Sequence, residues 1–210
     1  MSRKNFTLFF GPHNPNGEFS NWYMRDFKWA GNTFNCVEQF MMYMKAMLFF
    51  DLKSAQAIMD APHPKQQKAI GRTVAGFNEE RWLQHREQIV GLGIDLKFSQ
   101  NEDLLEILLE NAGTTFVEAS PYDRIYGAGL GADHPDIFTP SKWRGQNILG
   151  GLMTDLANRK LDQSVRNTLI KNQINQEEEQ NKPFSDTSIQ PQPAKLRRPL
   201  VRRVVKSPTP

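Results

Sequence analysis

The stretch FNCVEQFMMYMKAMLFF, residues 34–50, is apolar or aromatic at nearly every position, yet it carries Glu38 and Lys45. On a helix Glu38, Met42 and Lys45 fall along one stripe, with the two charges about two turns apart. Two accounts fit that stripe. In one, Glu38 caps the helix start and Lys45 lays its aliphatic stem along the surface, keeping its ammonium in water. In the other, the stripe floors a cleft, and carboxylate and ammonium face a charged ligand. A carboxylate among apolar groups needs a partner or a raised pKa. Such a group suits acid–base work or the stabilisation of a cation.

A second segment, VEASPYDRIYGAG at 117–129, offers Glu118, Asp123 and Tyr126 ahead of a glycine turn. By itself this is common loop chemistry. The glycines of GAGLGA, 127–132, do not make a dinucleotide fingerprint. That motif needs G-x-G-x-x-G opening a helix, whereas here the third glycine is misplaced and DHPD follows. A plain flexible loop and a loop whose backbone N–H groups approach a phosphate both remain open. Metal chemistry is not expected: His13, His63, His85 and His134 are scattered, and Cys36 is the single cysteine. Neither H-x-x-x-H nor C-x-x-C spacing occurs. No metal or organic cofactor is expected.

The elements that must position these residues read as α+β: one mostly helical domain with a small β-sheet. NFTLFF, 5–10, is a short strand that stops at the loop residues GPHNPNG. A hairpin follows, with a Gly31-Asn32 turn. A helix runs from about Asn35 to Phe50, with Asn35 as N-cap and Glu38 in capping-box position. DLKSAQAIMDA is a second helix, ended by PHP, and KQQKAIGRTVAG a third. The long periodic segment 78–100 places Trp82, Ile89, Leu92 and Leu96 on one face. A helix opened by Asn101 and closed by Gly113 comes next, then the strand TTFVEAS, the Gly-rich loop 127–145 and the helix GQNILGGLMTDLANRKL.

The 210 residues, 39% of them hydrophobic, suit one globular domain. Its expected span is 1–163, followed at 164–210 by a polar, basic tail that reads as disordered. Residues 1–160 hold 17 Lys+Arg against 18 Asp+Glu, a net of −1, and residues 161–210 hold 9 against 5, a net of +4. The basicity therefore belongs to the tail, and the body has no general polyanion-binding charge. A lone cysteine, no apolar run near 18 residues and no secretory-signal pattern at MSRKNFTLFFGPHNP point to a cytoplasmic setting without a membrane partner.

Taken in order, FFG, EFSNWY, FNCVEQFMMYMKA, AIGR, RW, FVEASPYDRIYGAG and GQNILGGLMTDL resemble the NADAR superfamily, also called YbiA-like. The resemblance covers about residues 5–160. It implies an α+β, largely helical fold and N-glycosidase activity. One branch of the family hydrolyses early, phosphorylated intermediates of riboflavin synthesis and releases ribose 5-phosphate. Another removes ADP-ribose from modified guanine in DNA. Matched motif by motif, the family's acidic helix residue falls on Glu38 and its helix lysine on Lys45. Its G-R pair falls on Gly71 and Arg72, its downstream tryptophan on Trp82 and its acidic loop residue on Asp123. Its G-x-N-x-L-G segment falls on Gly145, Asn147, Leu149 and Gly150. The usual W-G-D-G reads Tyr126-Gly127-Ala128-Gly129 here, which keeps a stacking face and loses a polar group.

The implied reaction builds positive charge at the anomeric carbon. Glu38 first and Asp123 second are the candidates to stabilise that charge or to deprotonate water. The alternative gives one of the two the role of acid for the leaving nitrogen. The expected partner is a small phosphorylated ribosyl substrate, with Lys45 and Arg72 on its phosphate. Trp22, Trp82 or Tyr126 would stack on its base, although Trp82 fits a core anchor equally well. Asn21 and Asn147 would orient ribose hydroxyls, and Gly127 would allow close backbone approach. The competing readings are an ADP-ribosyl-guanine glycosylase and a nucleotide-binding module without turnover. Nucleic acid enters only through ADP-ribosylated DNA or the basic tail.

Overall fold

The computed structural model describes residues 5–180. Two strands from distant parts of the sequence, β1 (Phe6–Phe9) and β4 (Thr115–Glu118), pair in parallel, with Phe6 opposite Thr115 and Phe9 opposite Glu118. Between them come the hairpin β2 (Phe27–Trp29) and β3 (Asn32–Phe34), then five helices. These are α1 (Val37–Leu48), α2 (Leu52–Asp60), α3 (Pro64–Gly71), α4 (Glu79–Ser99) and α5 (Glu102–Glu110). After β4 a long loop, broken only by the 3-10 turn Pro140–Lys142, leads to α6 (Ile148–Gln180). The fold is thus α+β and mostly helical, as expected.

Helix α1 is central and packs against α2, α3 and α4. Its Phe40 meets Trp29 and Phe34 edge-on, with ring centroids 5.6 and 5.1 Å apart. Each such pair is worth about 0.5–1.5 kcal/mol beyond the area buried. Gly93 of α4 lets the two helices touch: a Cβ there would lie 2.8 Å from Phe40 Cδ1. Two buried glutamines do the polar work. The Gln39 amide donates to the carbonyls of Ile58 and Met59 at the end of α2. Gln67 of α3 donates to Ala61 O and Asn35 Oδ1 and accepts from the Cys36 thiol. The bonds to Asn35 and Cys36 place α3 beside the start of α1. Burial of that thiol pushes its pKa up to about 12.

Several local expectations are corrected. The N-cap of α1 is Cys36, whose sulfur accepts from Gln39 N, and not Asn35. Glu38 closes no capping box; Gln39 reaches back instead and accepts from Asn35 N. The hairpin turn is Ala30-Gly31, both with positive φ, so it sits one residue before the Gly31-Asn32 position. On α4 the buried face is Ile89, Val90, Ile94, Lys97 and Phe98, while Leu92 is exposed. The expected tail, 164–210, falls partly on α6 and partly outside the described residues. Helix α6 continues past 163 to Gln180, with its side chains exposed from 161 to 176, and residues 181–210 lie outside the described residues. Among the described residues no helix is long and apolar enough to cross a membrane.

Candidate active site

Three segments converge on the start of α1. The first is the turn at 17–22, held from below by Lys97 of α4. This lysine is 1% exposed, and its ammonium donates to the carbonyls of Glu18 and Ser20 at 2.6 and 3.2 Å. Burial pulls its pKa down to about 7, against attraction from Cys36 and Glu18. The turn continues into Asn21, whose carbonyl accepts from Glu38 N at 2.9 Å. Trp22 follows, and its indole N–H donates to Glu38 Oε2 at 3.1 Å. Glu38 is 2% exposed, and its Oε1 is buried without a partner, as is Asn21 Oδ1. Burial raises the Glu38 pKa, and Asp123 adds to the rise. Lys68, the Trp22 N–H and Arg72 oppose it.

The second segment is α3 with its C-cap. Lys68 and Arg72 are four apart on this helix and so share a face. Lys45 reaches across from α1 to donate to Gly71 O at 2.8 Å, and its ammonium lies 4.2 Å from the Phe77 ring centroid and 5.7 Å from that of Trp82. Burial lowers its pKa. Lys68 sits 5.7 Å over the Trp22 ring. Neither Lys68 nor Arg72 has a carboxylate within ion-pair distance among the described residues.

The third segment is the loop after β4. Ser120 Oγ accepts from Tyr122 N and Asp123 N. Asp123 Oδ1 then accepts from Ile125 N and Tyr126 N, both at 2.8 Å. These nested turns fix the Asp123 carboxylate and leave Oδ2 without a hydrogen bond. Burial raises the pKa of the Tyr126 hydroxyl, and Arg86 opposes the rise. Glu118, at the end of β4, is half-buried beside this loop, and its Oε2 is buried without a partner. Its pKa is pushed up to about 7 by burial first, then by Asp123 and Glu38, with Lys68 pulling the other way.

The segments enclose a cleft of two chambers. One, about 440 Å³, is walled by Met41, Met42, Lys45, Trp82, Arg124 and Tyr126. The other, about 430 Å³, is walled by Phe10, Trp22, Glu118 and Ser120. Lys68, Arg72, Tyr122 and Asp123 line both. The expected residues Lys45, Arg72, Trp82, Asp123 and Tyr126 therefore meet at one cleft, with Glu38 and Asn21 buried behind Trp22.

Two expected residues do other work. Asn147, held at φ 51°, accepts from Glu118 N and donates to Phe116 O, so its amide supplies β4 with the partner a third strand would give. Asn147 lines neither chamber. Gly127 is buried, and a Cβ there would lie 2.9 Å from Asp123 O and 3.0 Å from Glu118 O, so it packs the loop and lines neither chamber. Sequence reasoning missed Lys68, whose four-residue spacing to Arg72 was the available signal. It also missed the Trp22–Glu38 bond, which joins residues on different segments. Among the described residues, no cluster of three or more His, Cys, Asp or Glu side chains is placed to hold a metal.

The NADAR domain family model matches residues 8–159. The chain is 41% identical over 140 residues to N-glycosidase R617 of Acanthamoeba polyphaga mimivirus, covering 64% of this chain and 82% of the relative. It is 26% identical over 148 residues to N-glycosidase YbiA of Escherichia coli, covering 70% and 84%. The solved NMR structure of that E. coli protein superimposes with a TM-score of 0.64 at 23% identity, over 79% of this chain and 90% of that one, a likeness of fold. The chloroplastic riboflavin biosynthesis protein PYRR of Zea mays is 33% identical over 105 residues, 48% of this chain and 15% of the relative.

Proposed function

The chain belongs to the NADAR domain family and is an N-glycosidase; on that premise we propose that it hydrolyses the N-glycosidic bond of a phosphorylated ribosyl compound, most directly the early intermediates of riboflavin synthesis, releasing ribose 5-phosphate. The observation that carries this reading is the cleft's charge pattern. Lys68 and Arg72, both without a carboxylate partner among the described residues, line the same two chambers as the Asp123 carboxylate. The match to a riboflavin biosynthesis protein supports the choice of base.

In this reading Lys68 and Arg72 hold the phosphate, and Lys45 adds a third positive charge deeper in the first chamber. Fixed cations bind a phosphate without rearranging in the reaction. Trp82 and Tyr126 flank the base. As the C–N bond lengthens, positive charge grows on the anomeric carbon and ring oxygen. The charge of Glu38, buried behind Trp22, stabilises that cation in a medium of low dielectric. Asp123 Oδ2, free of hydrogen bonds, takes the proton of the attacking water.

The test incubates the purified protein with a phosphorylated riboflavin intermediate and with ADP-ribosylated guanine in DNA, and identifies any released base by mass spectrometry. Release from the riboflavin intermediate is expected. Release from the modified guanine alone would replace the substrate, and tight binding with no release from either would make the chain a binding module.

A further inference from the structure

Glu118 is the polar group of the cleft that the mechanism above leaves unused. It lines the second chamber directly, together with Trp22, whereas the buried Glu38 does not line it. The three carboxyls of the site differ in what donates to them. Asp123 receives two backbone N–H bonds and Glu38 receives the Trp22 N–H. The Glu118 carboxyl receives no hydrogen bond, and its Oε2 is buried without a partner. A carboxyl whose buried oxygen has no donor is harder to ionise than one in water. The charged groups around it are Glu38 from α1, Lys68 and Arg72 from α3 and its cap, and Asp123 from the loop. Burial first, and then Asp123 and Glu38, favour the acid form of Glu118, and Lys68 opposes them.

We propose that Glu118 is a third catalytic residue: its carboxyl, in the acid form, donates a proton to the departing nitrogen of the substrate. The inference rests on the N-glycosidase reading. In the step the C1′–N bond breaks, its electron pair goes to nitrogen, and the nitrogen takes the Glu118 proton and leaves as a neutral amine. Water adds its oxygen to C1′ and gives its proton to Asp123. Transfer of that proton back to Glu118, directly across the chamber or through solvent, restores the starting state with one water consumed. Activity should fall as pH rises through about 7, because the acid form is the working one.

The test compares the wild-type protein with Glu118→Gln, which keeps the volume and lacks the acid. Two probes are used: a 5-phosphoribosyl aminopyrimidine, whose amine must be protonated to leave, and 4-nitrophenyl β-D-ribofuranoside 5-phosphate, whose phenolate leaves unaided. Glu118→Gln should lose at least about 100-fold on the first probe and stay near the wild-type rate on the second. It should also lose the alkaline fall in rate on the first probe. Equal losses on both probes, or no loss on the first, would overturn the proposal. Wild-type protein inactive on both would sink the substrate reading instead. Carboxyl NMR of the wild-type protein labelled at glutamate keeps Glu118 testable in that case, and also if the variant does not fold. A Glu118 resonance that titrates near neutrality is expected, and one ionised throughout pH 5–8 would overturn the proposal.

Discussion

Lys97→Met should flatten the dependence of stability on pH between about 7 and 10. In the folded protein this lysine is fully buried and its pKa is lowered from 10.5 to about 7. The sign follows from proton counts. Between those values the unfolded chain holds the proton and the native state does not, so stability rises with pH. Below pH 7 both states are protonated and the slope vanishes. At 1.36 kcal/mol per pKa unit, the whole window is worth at most about 5 kcal/mol, gained as pH rises and lost as pH falls through the folded pKa. Methionine matches the stem and cannot titrate. It also leaves the carbonyls of Glu18 and Ser20 without their donor, at about 1–3 kcal/mol. Urea unfolding of both proteins at intervals from pH 6 to pH 10 measures the difference. The wild-type curve should climb relative to the variant's as pH rises. Parallel curves across the window would refute the buried ammonium. Because those carbonyls lead into Asn21 and Trp22, the variant should also lose turnover at pH values where it remains folded.

Lys45→Met should raise KM by roughly 10- to 150-fold, from about 1.5–3 kcal/mol for a bond to a charged group, with little change in kcat. Steady-state kinetics on phosphorylated and dephosphorylated substrate would check this, and equal losses on both would remove the phosphate role. Gly150→Ala should cost about 3 kcal/mol in urea unfolding, since the new Cβ would lie 2.3 Å from Phe116 O and 2.4 Å from Asn147 Nδ2. Gly151→Ala, which meets nothing within 4 Å, should instead stabilise α6 by up to about 1 kcal/mol.

The helix carrying Glu38 and Lys45 was legible because two charges in an otherwise apolar run stand out at helical spacing. Its first residue was not, since Cys36 caps with sulfur and lies outside the usual Ser, Thr, Asp and Asn set. Lys68 looks like any lysine on a polar helix, and only the tertiary packing of Gln67 against Asn35 and Ala61 turns that face towards Glu38. Asn147 sits in a motif that resembles a ligand site, yet its left-handed backbone and both amide atoms serve β4. Glu118 read as one of an acidic pair ahead of a glycine turn, common loop chemistry. Its position opposite Phe9 depends on the pairing of β1 with β4, strands more than a hundred residues apart, which local periodicity does not encode.

Glu38→Gln changes the volume little and removes the charge on which the proposed transition state leans. The variant should melt like the wild type and release base from a phosphorylated ribosyl substrate at least about 100-fold more slowly. Turnover near the wild-type rate in a well-folded Glu38→Gln protein would contradict the account, because the carboxylate buried behind Trp22 would then have no part in breaking the bond.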